Sequence, residues 1–404
     1  MSSVEIETVK LVAKAFTEEP SNIEIIDVKR NDVGHGYSSV VLFILAKNKE
    51  TGLERRLIIK QRLQDQSDLS SEIESLNFQN ETIFYLTVFP ALSNFQKTYN
   101  SVDVFNNVAE CYGAIAEPFK EKLIFEDLSF QGYEIFPSKE ELLDTAKYEV
   151  LFKVYGRFHG VSYAFKHYQK DTFFEIGQQF RNLFKVYSQQ DKFITDLKNI
   201  IEKVEQYLKE ENEVDASKKL KIHKDNCKKI IQEALEDRGP NIVFIHGDAW
   251  SNNMLFKYDD KRQLKDIKII DFQESNIATP VVDISYALYT GASPEALDNL
   301  EHLHQVYYKS VTDTLKQYGC NPEEILTYKA FKKEWKKYVL YGLITGLLGL
   351  SIICTDKDKG ATNVCDYLSE EGADGYKSLF NPNEEKFRKV SLVLIRHFQK
   401  YDFL

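Results

Sequence analysis

The most informative segment of the sequence contains an aspartate that is followed by an asparagine and a second aspartate. Asp248 lies in HGDAWSNN, Asn253 follows five residues later, and Asp271 comes directly after the apolar run IKII. Phosphoryl transfer needs such side chains, because a carboxylate must orient the attacking hydroxyl while oxygen ligands hold Mg²⁺ on the phosphates. The spacing predicts Asp248, Asn253 and Asp271 as catalytic residues, the last two as metal ligands. Taken alone, the segment could also be an ordinary turn capped by Asx side chains.

Four residues nearer the N-terminus could bind a nucleotide. Gly34 and Gly36 lie between two predicted strands, where glycines let backbone amides approach phosphates closely. Lys60 ends the apolar run LIIK and could bridge two phosphates, and Glu81, on a predicted helix, could hold Lys60 by an ion pair. Each feature alone has a commoner explanation, a hairpin turn for the glycines and a solvated surface charge for the other two. Their order along the chain favours a single nucleotide site.

The elements that must position these residues begin with strands. Three short apolar runs, at residues 23–29, 40–46 and 57–59, are separated by polar turns and predict an antiparallel meander. An amphipathic helix is expected before them. A second helix is expected at about 71–89, stopped by Pro90.

From residue 138 onward the pattern is mostly helical. Ser138 and Glu141 have the spacing of a capping box at the start of a helix. The charged stretch 191–237 indicates solvated helices, and short strands are expected near 242–245 and 267–270. The fold class is therefore predicted to be α+β.

The length of 404 residues exceeds what one small domain holds and fits two lobes that share a cleft. Residues 1–123 are predicted to form a strand-rich, nucleotide-binding N-terminal lobe, 124–130 a hinge, and 131–404 a helical lobe with the catalytic loop and the acceptor site. Acceptor contacts are expected in the helical lobe, without assignment to particular residues.

Charge and cysteine content exclude several classes of protein. A net charge of −10, from 52 basic and 62 acidic residues, argues against nucleic-acid binding. Five cysteines without a CxxC pair argue against a disulfide framework or a zinc site. No signal peptide is evident, and the apolar run at 339–354 is shorter than the roughly 20 residues that span a bilayer. We therefore expect a cytoplasmic protein without membrane insertion, with that run as a buried helix.

Longer matching segments carry a family resemblance. They are GHGYSS, LIIK, FQNETIFYLTVFPAL, AECYGA, LIFEDLSFQGY, GRFHGVSYAF, FIHGDAWSNNMLFKYD, IKIIDFQESN and TPVVDISYALYTG. With these segments, spanning about residues 34–291, the sequence resembles the ecdysteroid kinase-like (CHK kinase-like) family, within the superfamily of aminoglycoside and choline kinases. The resemblance implies a bilobal protein-kinase-like fold, with a small antiparallel sheet in the N-terminal lobe and a large, mostly helical C-terminal lobe. It also implies ATP and Mg²⁺ as cofactors.

The resemblance further implies an activity, the transfer of the γ-phosphate to a hydroxyl of an ecdysteroid or a similar apolar alcohol. Such a reaction would serve hormone inactivation or storage, or detoxification of xenobiotic alcohols. Phosphorylation would add roughly −1.5 to −2 charges and make an apolar hormone soluble. No segment after Asp271 offers the activation segment of a protein kinase, so no protein substrate is expected.

Residues outside the catalytic segment also receive roles from the resemblance. Gly34, Gly36 and Ser38 would form the loop that covers the phosphates. Glu126 and Leu128, in the hinge, would contact the adenine mostly through backbone groups. Lys60 would contact the nucleotide phosphates, with Glu81 as its partner.

Residues next to the catalytic segment have competing interpretations. Asp283 would either brace the catalytic loop by hydrogen bonds or cap its own helix. His159 is expected to be packed and hydrogen-bonded, and His246 to tie the catalytic loop together. Trp250 could line the acceptor site or serve packing. Tyr258 is expected in a surface turn.

Two other functions remain open from the sequence. A choline- or ethanolamine-type kinase would need a cation site of aromatic and acidic side chains. A catalytically inactive pseudokinase that only binds ligand belongs to a different class. The joint presence of the five residues that phosphoryl transfer needs argues against it: Lys60, Glu81, Asp248, Asn253 and Asp271.

Overall fold

The protein is described by a computed structural model that covers residues 3–30, 39–62, 68–99, 101–138, 141–355 and 382–404. Gly34, Gly36 and Ser38, predicted to cover the phosphates, lie outside the described residues. The strands are β1 (Ile23–Arg30), β2 (Val40–Asn48), β3 (Glu54–Gln61), β4 (Cys111–Ile115), β5 (Lys122–Glu126), β6 (Tyr133–Ile135), β7 (Val243–Ile245), β8 (Met254–Tyr258), β9 (Leu264–Ile269) and β10 (Asn276–Ala278).

The helices alternate with these strands and dominate the second half of the chain. They are α1 (Ser3–Phe16), α2 (Asp68–Ile83), α3 (Phe89–Thr98), α4 (Thr145–Tyr168), α5 (Lys170–Gly177), α6 (Leu183–Tyr187), α7 (Asp191–Glu210), α8 (Val214–Asp225), α9 (Cys227–Glu236), α10 (Val281–Gly291), α11 (Pro294–Asp298), α12 (Leu300–Gln317), α13 (Pro322–Ile325), α14 (Tyr328–Ile353) and α15 (Glu384–Lys400).

The N-terminal sheet is antiparallel, with strand order β1-β2-β3-β5-β4, and it contains the predicted three-stranded meander. Alternate residues of a strand face opposite sides of a sheet. Leu57 and Ile59 of β3 therefore pack into a small core with α1. Lys60 points to the other face and reaches α2. The alternation along one strand places the lysine on the side where the helical lobe lies.

The helix expected to stop at Pro90 continues instead through α3 to Thr98. Between α2 and α3 the backbone widens into a π turn, in which the amide of Phe89 bonds to the carbonyl of Phe84 five residues earlier. Pro90 is one of the first residues of α3, where a missing backbone N–H is tolerated. The prediction was wrong because a π turn leaves no signature in the residue pattern.

The predicted capping box at Ser138 and Glu141 is also wrong. Helix α4 begins at Thr145, and the carboxylate of Asp144 accepts the backbone N–H of Lys147 as its N-cap bond. The hydroxyl of Ser138 donates instead to the side-chain oxygen of a residue in the catalytic segment, at 2.5 Å. A serine and a glutamate three apart satisfied the local pattern, but the N-cap is Asp144, six residues after Ser138.

Glycines allow two helix pairs of the large lobe to approach closely. A Cβ on Gly156 or Gly160 of α4 would lie within 3 Å of side chains on α12. A Cβ on Gly342 or Gly346 of α14 would similarly meet α10. These close approaches hold the helices that carry the site against the core.

Within the described parts of the chain, a single helical segment, Pro322–Ile353, is long and apolar enough to span a membrane by length and composition alone. Of its most apolar window, 67% is buried inside the molecule. The predicted burial of the apolar run is thus confirmed, and its helix serves as a core helix of the large lobe.

Two small sheets interrupt the large lobe. Strand β7 pairs with β10, and β8 pairs with both β6 and β9. The sequence predicted β7 and β9, but not β6, β8 or β10. Tyr258, expected in a surface turn, ends β8. The predicted α+β class, with a small antiparallel sheet first and a large helical part after it, is confirmed.

Candidate active site

The register of the β8–β9 hairpin brings two candidate metal ligands together. Met254 pairs with Ile269, so the next residues outward, Asn253 and Ile270, are also opposite each other. The amide of Ile270 donates to the carbonyl of Asn253 at 3.0 Å. Asp271 follows directly, in a left-handed conformation with φ of 66° that turns the chain away from the strand. Residues far apart in sequence become neighbours because strand pairing aligns them.

Asp248 and Asn253 form a direct contact. The amide nitrogen of Asn253 donates to the Asp248 carboxylate at 2.8 Å and to its backbone carbonyl at 3.0 Å. With both amide hydrogens used, the Asn253 side-chain oxygen faces away from Asp248. Burial raises the pKa of Asp248 to about 7, helped by the charge of Asp271 and opposed by hydrogen bonds from Asn253 and Tyr286. A carboxylate with this pKa can accept a proton near neutral pH.

Lys60 lies between two carboxylates. Its Nζ is 2.6 Å from Glu81 Oε2 and 2.6 Å from Asp271 Oδ1. Burial would lower the pKa of Lys60, but the two carboxylates outweigh it and raise the pKa above its usual value. The Glu81 side chain is 2% exposed, and burial raises its pKa while Lys60 opposes the rise. The ion pair predicted from sequence is present and links the sheet, α2 and the Asp271 turn.

A buried aspartate braces the catalytic loop. The Asp283 carboxylate accepts the amide of His246 at 2.7 Å and that of Gly247 at 2.8 Å. His159 lies 3.2 Å from the same carboxylate and 2.9 Å from the Tyr307 hydroxyl. Of the two interpretations of Asp283, the structure matches the brace, and the packed role expected for His159 matches as well.

Gly247 has a conformation that only glycine adopts easily. Its φ is +85°, and a Cβ there would lie 2.2 Å from the backbone oxygen of Glu274. The adjacent His246 accepts the amide of Asp248 at Nδ1 and donates from Nε2 to the carbonyl of Ile270. Burial lowers its pKa, which keeps the ring neutral. His246 thus ties the two halves of the site together, as expected.

Phe272 anchors the turn that carries Asp271. Its ring is fully buried and stacks on Phe84 with a centroid separation of 3.5 Å and an interplanar angle of 7°. Phe84 begins the π turn after α2. The irregular turn therefore lets one helix supply both the ring under Asp271 and, through Glu81, the partner of Lys60.

Asp248 also has polar neighbours that were not predicted from the sequence. Tyr286 of α10 donates to Asp248, and Tyr187 of α6 donates to Glu274. Burial raises the pKa of Glu274 to about 8, and the charges of Asp248 and Asp271 add to the rise. The charges of Glu274 and Asp248 also help to raise the pKa of Tyr341 on α14, after burial as the main cause. A glutamate directly after DFQ was the one local signal that could have drawn attention to this group.

The two predicted hinge residues differ in what their side chains do. Glu126 accepts the amide of Glu110 at 2.9 Å and the side-chain amide of Gln131 at 2.6 Å. The Leu128 side chain is 2% exposed and belongs to the large core. Both side chains are committed within the protein, and the backbone amide of Glu126 also donates to the carbonyl of Glu110 at 3.0 Å.

Two oxygen-bearing side chains at the end of the hairpin are of the kind that a divalent metal takes as ligands. Asn253 precedes β8 and Asp271 follows the Ile270 amide that bonds to the Asn253 carbonyl. Within the described ranges, no three His, Cys, Asp or Glu side chains gather closely enough to hold an ion by themselves. Mg²⁺ suits such a sparse site, because it keeps several waters and takes phosphate oxygens alongside one or two protein ligands.

A strand lysine paired with a helix glutamate, and in contact with an aspartate that follows a second strand, is an arrangement that kinases use. This chain is a small-molecule kinase of the kinase-like superfamily. The family follows from a more specific match. A family model described as the ecdysteroid kinase-like family matches residues 33–320, and the chain belongs to that family. The resemblance found in the motifs is thereby confirmed.

Comparison with individual proteins adds a distant likeness. No curated protein matches the chain. Among solved structures, a choline kinase from Cryptosporidium parvum Iowa II is similar over 98% of this chain and 97% of its own. The two chains are 13% identical, and the TM-score is 0.44.

Proposed function

We propose that the protein uses ATP and Mg²⁺ to phosphorylate a hydroxyl of an ecdysteroid or a similar apolar alcohol in the cytoplasm. The observation that carries the proposal is the Lys60 ion pair with both Glu81 and Asp271, beside the contact between Asp248 and Asn253. Family membership supports the acceptor class. Residues 124–130 would be the hinge between lobes 1–123 and 131–404.

Each residue would contribute positioning or charge. Asp248 would orient the acceptor hydroxyl and take its proton, for which a pKa of about 7 is suitable. Lys60 would hold the nucleotide phosphates and Glu81 would hold Lys60. Asn253 and Asp271 would bind Mg²⁺, which, when present, neutralises charge on the phosphates.

The nucleotide loop and the hinge complete the proposed site. Gly34, Gly36 and Ser38 would cover the phosphates with backbone amides. Glu126 and Leu128 would contact the adenine through their backbone groups. The acceptor is proposed to lie on the side of Asp248 that Tyr286 and Glu274 line.

One observation favours a second candidate, a choline- or ethanolamine-type kinase. Glu274 forms no ion pair with any residue of the described part of the chain, and tyrosines lie beside it. A carboxylate among aromatic rings is a suitable environment for an organic cation. The same group could equally bond a second hydroxyl of a neutral polyhydroxylated acceptor.

The experiment is mass spectrometry of products after incubation with Mg–ATP and a panel of alcohols. Ecdysone, 20-hydroxyecdysone, choline, ethanolamine and plant-derived alcohols would each be tested for a phosphate adduct. A phosphorylated ecdysteroid supports the first candidate, and phosphocholine or phosphoethanolamine the second. Absence of transfer to every alcohol, with steroid binding intact, would instead support an inactive ligand-binding protein.

Two variants separate chemistry from nucleotide binding. Asp248→Asn should lower turnover by about 100-fold or more while leaving ATP affinity nearly unchanged, because it removes the proton acceptor only. Asp271→Ala should abolish the Mg²⁺ dependence of ATP binding in calorimetry. Near-normal turnover of Asp248→Asn would refute the base assignment, and an unchanged Mg–ATP titration of Asp271→Ala would refute its metal role.

A further inference from the structure

Asn80, the fully buried neighbour of Glu81 on α2, makes three hydrogen bonds through its side chain. Its side-chain nitrogen donates to the carbonyl of Arg181 at 2.9 Å and to that of Gln273 at 3.1 Å. Its side-chain oxygen accepts the amide of Arg181 at 2.8 Å. The residue has no exposed surface, so these bonds replace all contact with water. Both amide hydrogens and one oxygen lone pair are therefore committed to the backbone of two other segments.

The bonds to Arg181 resemble a piece of strand pairing. Arg181 lies between α5 and α6, and Asn80 bonds both its N–H and its C=O, as the backbone of a neighbouring strand would. The next residue, Asn182, is the N-cap of α6, accepting the amide of Lys185 at 3.1 Å. Asn80 therefore holds the point from which α6 starts.

The same side chain also holds the other half of the acceptor side. Gln273, whose carbonyl it binds, directly precedes Glu274. The last residue of α6, Tyr187, donates to the Glu274 carboxylate. One amide thus sets the positions of both the helix that carries Tyr187 and the turn that carries Glu274.

Neighbouring residues on α2 serve different parts of the site. Successive side chains of a helix diverge by about 100°. Glu81 turns toward Lys60 and the proposed nucleotide, whereas Asn80 turns toward Arg181 and Gln273. The helix therefore contacts two different parts of the protein through adjacent residues.

We propose that Asn80 is a positioning residue that sets the acceptor side of the site, through Tyr187 and Glu274, and leaves nucleotide binding to Glu81. The inference rests on the proposed kinase function and assigns acceptor affinity to a residue that contacts no substrate. Asparagine suits the role because it offers two donors and an acceptor on a short side chain. Aspartate keeps the size but would turn a carboxylate toward two carbonyl oxygens.

The first test compares Asn80→Ala with two variants on the same helix. With 20-hydroxyecdysone as acceptor, or choline if that is the molecule phosphorylated, Asn80→Ala should raise the acceptor KM about tenfold. The KM for Mg–ATP should stay within about twofold of the wild type. Glu81→Ala should instead raise the KM for Mg–ATP and leave the acceptor KM within about twofold of the wild type. Asn77→Ala, which removes another buried asparagine of α2, should change neither KM by more than about twofold.

Equal changes in both KM values, or a change in the ATP value alone, would overturn the proposal. A second variant covers the case in which Asn80→Ala does not fold. Tyr187→Phe removes the hydroxyl that holds Glu274 and should by itself raise the acceptor KM. The double variant should be no worse than the poorer single one, because coupled residues are not additive. An unchanged acceptor KM in Tyr187→Phe would contradict the proposed route.

Hydrogen exchange tests the inference without any acceptor. In Asn80→Ala, the amide of Arg181 and the amides of α6 should exchange faster than in the wild type, while those of β9 should not. Unchanged exchange at residues 181–187 would refute the positioning role even if no acceptor were ever found. Failure of the kinase function itself would appear separately, as a wild-type protein that phosphorylates none of the alcohols.

Discussion

At the scale of single residues, the carboxylates of the site differ in what surrounds them. Glu81 has an ammonium partner at 2.6 Å, and Asp283 accepts two backbone amides. Glu274 has the hydroxyl of Tyr187. A carboxylate is stabilised in its charged form by cations and hydrogen-bond donors and destabilised by burial. Their contrasting partners lead to different expectations for substitution.

The first expectation concerns stability and pH. The pKa of Glu274 is raised from 4.5 to about 8 in the folded protein, so between these values the folded state binds more protons than the unfolded state. The free energy of unfolding should therefore fall as pH rises through this window. Glu274→Gln cannot ionise and should remove on the order of 2 kcal/mol of that fall. Urea unfolding at both ends of this pH window measures the change in the free energy of unfolding. An equal dependence of that free energy on pH in the variant and the wild type would contradict the expectation.

The second expectation concerns the brace of the catalytic loop. Asp283→Asn keeps the size of the side chain but turns an amide nitrogen toward one of the two backbone amides it now accepts. Turnover should fall by about 100-fold, because the loop that carries Asp248 loses its fixed position. ATP affinity, measured by calorimetry, should change little. The same change at the exposed Asp298 is the control and should leave turnover unaffected.

At the scale of elements, close contacts and irregular turns determine how helices present the site. The π turn at Phe84–Val88 lets α2 and α3 continue past Pro90 while Phe84 stacks on Phe272. Helix α10, which carries Asp283 and Tyr286, packs on glycines of α14. The position of Asp283 therefore depends on a contact between two helices that does not itself involve Asp248.

That dependence can be measured at Gly342. A Cβ there would lie 2.6 Å from the Cβ of Ser285, so Gly342→Ala should force α10 and α14 apart and cost about 1–3 kcal/mol of stability. Gly291→Ala is the matched control, since its nearest neighbour, the Tyr148 hydroxyl, would be at 3.4 Å. Chemical denaturation of the two variants compares them. If Gly342→Ala were as stable as the control, the close contact between α10 and α14 would not require a glycine at this position.

At the scale of the whole molecule, the candidate nucleotide ligands come from both parts of the fold. Lys60 belongs to the N-terminal sheet, and Asn253 and Asp271 belong to the hairpin of the large lobe. A ligand that binds all of them adds connections between the lobes and stabilises only the folded state. In a protein of net charge −10, Lys60 and a bound metal would supply local positive charge for an anionic nucleotide.

Thermal unfolding should therefore respond to the nucleotide and the metal together. At about 100 times its Kd, Mg–ATP should add about 2.7 kcal/mol to the free energy of unfolding and raise Tm measurably. ATP with a chelator should produce a much smaller shift. In Lys60→Ala, the increase in Tm caused by Mg–ATP should be mostly lost. An equal shift with and without Mg²⁺ would argue against the metal role of Asn253 and Asp271.

Local patterns predicted the parts of this protein that depend on neighbours in sequence. The strands β1 to β3 follow from short apolar runs between polar turns, and the large-lobe helices from their periodicity. The partnership of Lys60 and Glu81 was predicted from residue types and order, and the ion pair is present. Two helix boundaries were predicted wrongly, the start of α4 and the end of the helix after Glu81. A capping pattern and a proline each permit more than one backbone path.

The sequence by itself determined which residue types could perform the chemistry, since Asp248, Asn253 and Asp271 stand in the order that phosphoryl transfer requires. Only the tertiary structure decided what surrounds them. Asn80 and Gln273 meet across 193 residues, and no local pattern encodes that contact. It depends on how α2 packs on the Asp271 turn, a result of burying large apolar faces together. For this reason the proposed acceptor side of the site rests on packing contacts rather than on any motif.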